Sequence, residues 1–154
     1  MHIRLIAVGD RQPAWVDEAC RIYSGRFPPH WKFRIDTVPT TRRTRAGQSA
    51  ADSEVETILS KLRPQERMIL LDERGKQFTS KALAGKLTEW QNNGLDIAFV
   101  IGGPDGVNDL CRSVAHLVWS LSDLTLPHGL ARVLLSEQLY RAWTLQTGHP
   151  YHRE

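Results

Sequence analysis

The sequence predicts an α/β fold in which helices cover both faces of a mainly parallel β-sheet. Apolar strand patterns alternate along the chain with segments of helical periodicity, an order that builds parallel sheets. The segments 68–71 and 97–101 are continuously apolar, as expected for strands that are buried on both faces. The 154 residues show no linker or internal repeat, so we expect a single domain over residues 1–154.

Five strands follow from the hydrophobic pattern. In the second strand, for example, Trp31, Phe33 and Ile35 alternate with polar residues, which is typical of a pleated segment. We expect the strands at 2–8, 31–38, 67–72, 96–101 and 117–121.

Five helices separate or follow these strands. Pro13 favours the first turn of a helix that continues from Trp15 to Tyr23, because a first-turn residue needs no N–H. Ser80 is a candidate cap for the third helix, which should stop at Gly94. The others are marked by Val55, Ile58, Leu59 and Leu62, by a start after Asn108, and by an apolar run from Gly129 to Gln146.

The last predicted helix is apolar almost all the way round. One face can pack on the sheet, and a second apolar face in so small a domain usually contacts another subunit. We therefore predict a homodimer. Glu137 and Arg141 lie four residues apart on this helix, in the order that favours a surface ion pair.

The composition argues against several classes of protein. Cys20 and Cys111 show no zinc-ligand spacing, so we expect buried thiols in a reducing compartment and no metal site. No apolar run of 18 residues and no signal-peptide pattern is visible, so we expect a soluble, cytoplasmic protein without a membrane segment.

The positive charge is concentrated in the first third of the chain. Residues 1–45 contain nine basic and four acidic residues, whereas the whole chain has a net charge of +3. The densest part is the segment 40–47, with Arg42, Arg43 and Arg45 among small polar residues. Such a loop can bind phosphates, although a solvated loop is an equally good interpretation.

Ligands of parallel sheets bind beyond the carboxyl ends of the strands, so the loops after residues 72, 101 and 121 are candidate sites. The first loop contains Gly75-Lys76 but is not a phosphate loop, because Leu70 and Gln77 stand where glycine and serine or threonine are needed. We expect a charged turn there, with Gly75 in a left-handed conformation.

The second loop is Gly102-Gly103-Pro104-Asp105-Gly106. Two glycines after a buried strand allow the backbone to approach a flat ligand closely. The dinucleotide fingerprint is absent, since Pro104 and Val107 occupy two of its glycine positions. A tight turn without a ligand is the alternative.

The third loop runs from Ser120 to Gly129. Leu121, Leu124 and Leu126 can form an apolar slot for an adenine ring, or they can belong to the core. His128 lies where the loop becomes a helix, a place where histidine more often caps or packs than catalyses.

The C-terminal segment contains His149, Tyr151, His152 and Arg153. These side chains can stack on a base or bond to it. A metal pair formed by His149 and His152 is an alternative, but no carboxylate or thiol at ligand spacing joins them.

Several motifs, taken in order, resemble a known family. The sequence is similar over its whole length to the small bacterial SPOUT methyltransferases that methylate N3 of a pseudouridine in large-subunit (23S) ribosomal RNA. The resemblance depends on Leu71-Asp72-x-x-Gly75-Lys76, Phe99 to Gly106, Ser120 to His128, Arg132-Val133-Leu134, Glu137 to Ala142 and His149-Pro150-Tyr151-His152.

This resemblance implies a SPOUT fold with a C-terminal trefoil knot and an active unit of two chains. It also implies that the partner chain and the ribosome supply RNA recognition, and that assembled ribosomes are the substrate. S-adenosylmethionine would be held by Leu71, Gly102, Gly103, Leu121, Ser122, Asp123, Leu124, Thr125 and Leu126.

Methylation of an imide nitrogen requires loss of its proton and stabilisation of charge on two flanking carbonyl oxygens. A guanidinium or imidazolium can stabilise that charge, and a histidine is the expected proton acceptor. The hypothesis is that the base is surrounded by His128, Arg132, Arg141, Tyr151 and His152.

Two other classes of function remain as alternatives. One is a ribosome-associated RNA-binding protein without catalysis, which would have little reason to keep a cofactor slot. The other is a nucleotide enzyme of Rossmann type, which the missing glycine fingerprint disfavours.

Overall fold

The computed structural model describes residues 1–42 and 44–153 as an α/β fold with a five-stranded parallel sheet. The strands are ordered β2-β1-β4-β3-β5 and every pairing is parallel. The elements are β1 (His2–Val8), α1 (Ala14–Ser24), β2 (Lys32–Val38), α2 (Ala50–Lys61), β3 (Glu66–Lys76), α3 (Ser80–Asn92), β4 (Asp96–Ile101), α4 (Asp109–Val114), β5 (Leu117–Trp119), α5 (His128–Thr147) and a 3₁₀ turn (Pro150–Arg153).

The two faces of the sheet are both buried, which confirms the predicted fold class. On one face, Phe99 of β4 packs in a core with Leu135 and Leu139 of α5, and α5 itself lies between α1 and α3. On the other face, Val100 packs with Ile58 of α2 and with α4. Consecutive residues of β4 therefore point into different cores, as the pleat of a strand requires.

Local capping explains where two helices begin. Ser49 Oγ accepts a hydrogen bond from Asp52 N at 3.0 Å, and the Asp52 carboxylate accepts one from Ser49 N at 3.2 Å, a reciprocal cap that starts α2. The expected cap of α3 at Ser80 is wrong by one residue. Thr79 Oγ1 accepts from Ala82 N, whereas Ser80 Oγ donates to Gln138 of α5 at 2.6 Å.

The third strand is longer than predicted, and the expected turn at Gly75 is wrong. Gly75 belongs to β3 and does not have a positive φ. Its strand continues past an irregularity to pair Lys76 with Trp119 of β5. A Cβ at residue 75 would lie 2.6 Å from backbone atoms of Val118 and Trp119, so glycine is required by the close approach of β5.

The two cysteines are buried free thiols, as predicted. Cys111 of α4 packs in the same core as Ile58, and desolvation raises the pKa of its thiol to about 11. No helix among the described residues combines the length and the hydropathy that a membrane crossing requires.

Candidate functional site

A cavity of about 660 Å³ lies at the carboxyl ends of β3, β4 and β5. Its volume is within the range of small-molecule sites, and its position follows the rule for parallel sheets. Eight of the nine residues expected to hold a cofactor line it: Leu71, Gly102, Gly103, Leu121, Ser122, Leu124, Thr125 and Leu126. The ninth, Asp123, is exposed outside the lining and accepts a hydrogen bond from Gln77.

The loop after β5 is held in shape by its own serines. Ser120 Oγ donates to the Ser122 carbonyl at 2.9 Å, and Ser122 Oγ accepts from Leu124 N at 2.9 Å. These short-range bonds place Leu121 and Leu126 on the wall of the cavity, where they are half-buried, and leave Leu124 75% exposed. The loop offers apolar surface next to backbone groups, an arrangement that suits a flat heterocycle.

The glycines after β4 are required by contacts within the protein. Gly106 N donates to the Gly103 carbonyl at 2.9 Å and closes a tight turn. A Cβ at Gly102 would lie 2.7 Å from Val107 Cγ1, and one at Gly103 would lie 2.6 Å from Glu54 Oε2. The tight turn is therefore present, and its two leading glycines also line the cavity.

An ion pair that sequence reasoning missed forms part of the cavity wall. Arg112 Nε of α4 donates to Asp72 Oδ2 at 2.9 Å, and both residues line the cavity. The position of Asp72 after a buried strand could have suggested it, but nothing in the sequence links it to Arg112. Glu73, Arg74 and Asp105 are exposed on the same rim, so this edge carries charges of both signs.

His128 is the candidate catalytic residue that lies in the cavity. It is the first residue of α5 and it is half-buried. Its Nε2 is buried and has no hydrogen-bond partner among the residues that the structure describes. Burial, together with the charge of Arg132, lowers the pKa of His128 to about 4, so its imidazole is neutral at pH 7.

Arg132 lies behind the cavity rather than in its lining. The side chain is buried, and Nη2 donates to the carbonyls of Val8, at 3.1 Å, and of Gly9. Burial lowers the pKa of this guanidinium below its usual range. Within one chain, Arg132 fixes α5 to the end of β1 and does not reach a ligand in the cavity.

The other three candidate catalytic residues lie at the far end of α5. Arg141 is ion-paired with Glu137 at 2.6 Å, as predicted, and its guanidinium stacks over the Tyr151 ring at 5.1 Å. The Tyr151 hydroxyl donates to Glu137 Oε1 at 3.0 Å, and burial raises the pKa of this phenol. His152 is half-buried nearby in sequence, and its buried Nδ1 has no partner in the described ranges.

The candidate residues thus form two groups in one chain. His128 and Arg141 are separated by 13 helical positions, or about 20 Å along the helix axis. Tyr140, which sequence reasoning did not single out, packs against Tyr151 with ring centroids 4.8 Å apart. None of Arg141, Tyr151 and His152 lines the cavity.

The structure gives no support to the metal pair at the C-terminal segment. Among residues 1–42 and 44–153, no three His, Cys, Asp or Glu side chains are grouped closely enough to hold a metal ion. His149 Nδ1 instead accepts a hydrogen bond from Tyr151 N at 3.2 Å.

The predicted basic loop is partly described. Arg42 and Arg45 are exposed, and Arg43 lies outside the described residues. Thr41 N donates to Glu54 Oε1 at 3.0 Å, so α2 holds the start of this loop.

Comparisons with known proteins agree over the whole chain. Residues 1–152 match the family described as "Predicted SPOUT methyltransferase". Proteins named "Ribosomal RNA large subunit methyltransferase H" from Variovorax paradoxus and Thioalkalivibrio sulfidiphilus are 47% and 44% identical, each over 100% of both chains.

A solved structure supports the fold. A probable methylase family protein from Haemophilus influenzae superposes with a TM-score of 0.61 at 16% identity, covering 97% of this chain and 67% of that one.

Proposed function

The chain belongs to the SPOUT methyltransferase family, and we propose that it transfers a methyl group from S-adenosylmethionine to N3 of a pseudouridine in 23S rRNA. Assembled ribosomes in the cytoplasm are the proposed substrate. Support for an RNA substrate comes from the names of relatives that are 42–47% identical over nearly the full chain. The observation that carries the proposal is the cavity at the carboxyl ends of β3, β4 and β5.

The residues of this cavity fit S-adenosylmethionine. Leu121 and Leu126 offer apolar walls for an adenine ring, and His128 Nε2 is a buried polar atom without a partner in the described chain. The rim carries exposed groups of both signs, Glu73 and Asp105 beside Arg74, which suits a ligand that carries sulfonium, ammonium and carboxylate charges. When bound, the cofactor supplies an electrophilic methyl group, and the loops around it fix the direction of transfer.

The active unit that we propose is a homodimer. Arg141, Tyr151 and His152 cannot reach the cavity of their own chain, because α5 separates them from it by about 20 Å. Leu130 and Leu134 are half-buried and share a helix face with Glu137 and Arg141, at spacings of four, three and four. A second copy that covers this face would bring one chain's Arg141 towards the other chain's cavity.

The proposed chemistry uses this composite site. Arg141 stabilises the negative charge that develops on the carbonyl oxygens as N3 loses its proton. Tyr151 holds Glu137, and through it the Arg141 guanidinium, in place. His128 is neutral at pH 7, but a pKa of about 4 makes it a weak base, so we propose that its Nε2 accepts a hydrogen bond from the bound ligands and that water takes the N3 proton.

The test is transfer of a labelled methyl group to assembled ribosomes, free large subunits and naked rRNA from cells that lack this activity. We expect label at a pseudouridine of assembled ribosomes. Binding of S-adenosylmethionine with no transfer to any of the three would leave the cofactor assignment standing and make the rRNA substrate wrong. Failure to bind S-adenosylmethionine would contradict the cofactor assignment itself.

A further inference from the structure

A second cavity, of about 500 Å³, lies at the carboxyl ends of β1 and β2. Because β1 neighbours β4 in a parallel sheet, this cavity opens at the same edge of the sheet as the first one. This edge is where the ligands of parallel sheets bind. Its described lining residues are Gly9, Asp10, Arg11, Pro39, Thr40 and Arg42.

The rim of the second cavity is cationic. Arg11 and Arg42 are exposed, and neither makes an ion pair with any other residue that the structure describes. Asp10 is the one acidic residue in the described lining, and it is exposed on the rim. Two free guanidinium groups at one cavity form the kind of site that binds phosphate oxygens.

A third guanidinium lies beneath this cavity. Arg132 is only 3% exposed, it has no carboxylate partner in the described chain, and its Nε lacks a hydrogen-bond acceptor there. A Cβ at Gly9 would lie 3.4 Å from Arg132 Nη2, 3.5 Å from Gln12 Nε2 and 3.9 Å from Thr40 Oγ1. Polar side chains from three parts of the chain therefore converge on a bare glycine. Asp17 attracts this guanidinium without an ion-pair contact, and a bound anion would add to the compensation of the buried charge.

The two cavities are physically linked. Glu54 of α2 is 2% exposed and lies between them, since its Oε1 accepts from Thr41 N and its Oε2 abuts Gly103. Adjacent strands are about 4.8 Å apart, so the cavities are separated by roughly 5–15 Å. Neighbouring nucleotides of one strand can bridge such a distance.

We propose that the second cavity binds a backbone phosphate of the RNA substrate, next to the nucleotide whose base enters the first cavity. Arg11 and Arg42 contact the phosphate, and Arg132 contributes positive potential from beneath Gly9. The inference rests on the proposed function, because it takes RNA as the substrate. It assigns to this chain a part of the RNA contact that does not depend on a partner subunit.

The test compares the double variant Arg11→Gln/Arg42→Gln with the matched control Arg63→Gln. Arg63 is also exposed, but it precedes β3 at the opposite edge of the sheet. Methyl transfer to assembled ribosomes is measured at several salt concentrations, and S-adenosylmethionine affinity is measured by calorimetry. We expect the double variant to raise KM for ribosomes about tenfold and to reduce the steepness of log(1/KM) against log salt by about 0.7–1.4.

The inference also requires that kcat and cofactor affinity change by less than about twofold in the double variant. If the wild-type protein methylates ribosomes while KM and the salt slope of the double variant are unchanged, the phosphate site is wrong and the proposed function stands. A fall in kcat alone would likewise overturn it. If the wild-type protein transfers no label to any RNA, the proposed function fails first and the phosphate site with it.

Discussion

Arg132, in the second turn of α5, donates a hydrogen bond to the carbonyl of Val8 at 3.1 Å, across 124 positions of sequence. The same Nη2 atom also donates a hydrogen bond to the Gly9 carbonyl. One side chain therefore joins the start of the last helix to the end of the first strand. The two cavities lie on either side of this joint, so its loss should disturb both.

We predict that Arg132→Ala lowers the free energy of unfolding by about 2–4 kcal/mol, because it leaves a void and two unpaired carbonyls. Thermal unfolding would then shift by about 2–4 °C per kcal/mol for a chain of this size. Arg141→Ala is the control, since it removes a partly exposed ion pair worth less than about 1 kcal/mol. Equal shifts for the two variants would show that Arg132 is not a structural joint.

The low pKa of His128 predicts a pH dependence of stability. Unfolding restores an ordinary imidazole, so the unfolded chain binds more protons than the folded chain between pH 6.5 and about 4. Stability should therefore fall as the pH is lowered through this window, by an amount on the order of 2 kcal/mol from His128. Denaturant titrations of wild type and His128→Gln measure it, and the variant should lose less stability over the same window. If the free energy of unfolding of the two proteins fell equally with pH, the imidazole of His128 would not be buried and neutral in the folded protein.

The composite active site that we propose for a homodimer predicts complementation between inactive variants. His128→Ala and Arg141→Ala should each abolish most transfer. Because a mixed dimer contains one site without either substitution, equal mixing after dissociation and reassociation should restore about a quarter of wild-type activity. Mixing two preparations of the same variant is the control. No recovery, although mass measurement shows mixed dimers, would place both residues in a single-chain site.

We predict that adding one methyl group at Gly75 has a large effect on the free energy of unfolding. The Gly75→Ala Cβ would be forced against backbone of β5 at 2.6 Å, so we expect a loss of more than about 3 kcal/mol. Gly85→Ala is the matched control, because position 85 lies inside α3 with open space around it. That control should stabilise the protein by about 0.5–1 kcal/mol. Chemical denaturation compares them, and a mild effect at residue 75 would mean that β5 can move aside.

The buried thiols predict low reactivity in the folded protein. Desolvation raises the pKa of Cys20, and it raises that of Cys111 to about 11, so both thiols are protonated at pH 8. A colorimetric thiol reagent at pH 8 should therefore modify neither in the native protein and both in denaturant. Rapid labelling of Cys111 without denaturant would reveal local opening of α4.

The hydrophobic pattern was sufficient for most of the fold. β1 and β4 have the predicted bounds because their apolar runs end at polar or glycine residues. The turn at Gly75 was wrong because a Gly-Lys pair suggests a turn locally, whereas the partner strand 43 positions later decides its conformation. The trefoil knot stays a prediction of the resemblance, which local patterns do not encode.

The site was predicted in part. The rule for strand ends located the cavity loops, whereas the roles of the residues in the C-terminal segment stay predictions. Contacts such as Asp72–Arg112 and Glu54–Gly103 join residues about 40–50 positions apart, and no periodicity relates such partners. His128 and Arg141 lie far apart because α5 is one unbroken helix over His128–Thr147.

The position of α5 in the chain bears on how the protein is made. Leu135, Leu139 and Ala142 of α5 share a core with Ile3 and other residues of the sheet. A nascent chain that has reached only residue 127 therefore presents a sheet whose apolar face is uncovered between α1 and α3. Such a surface is prone to aggregation until its cover is synthesised. Stable folding of this chain therefore has to wait until synthesis of α5 is complete.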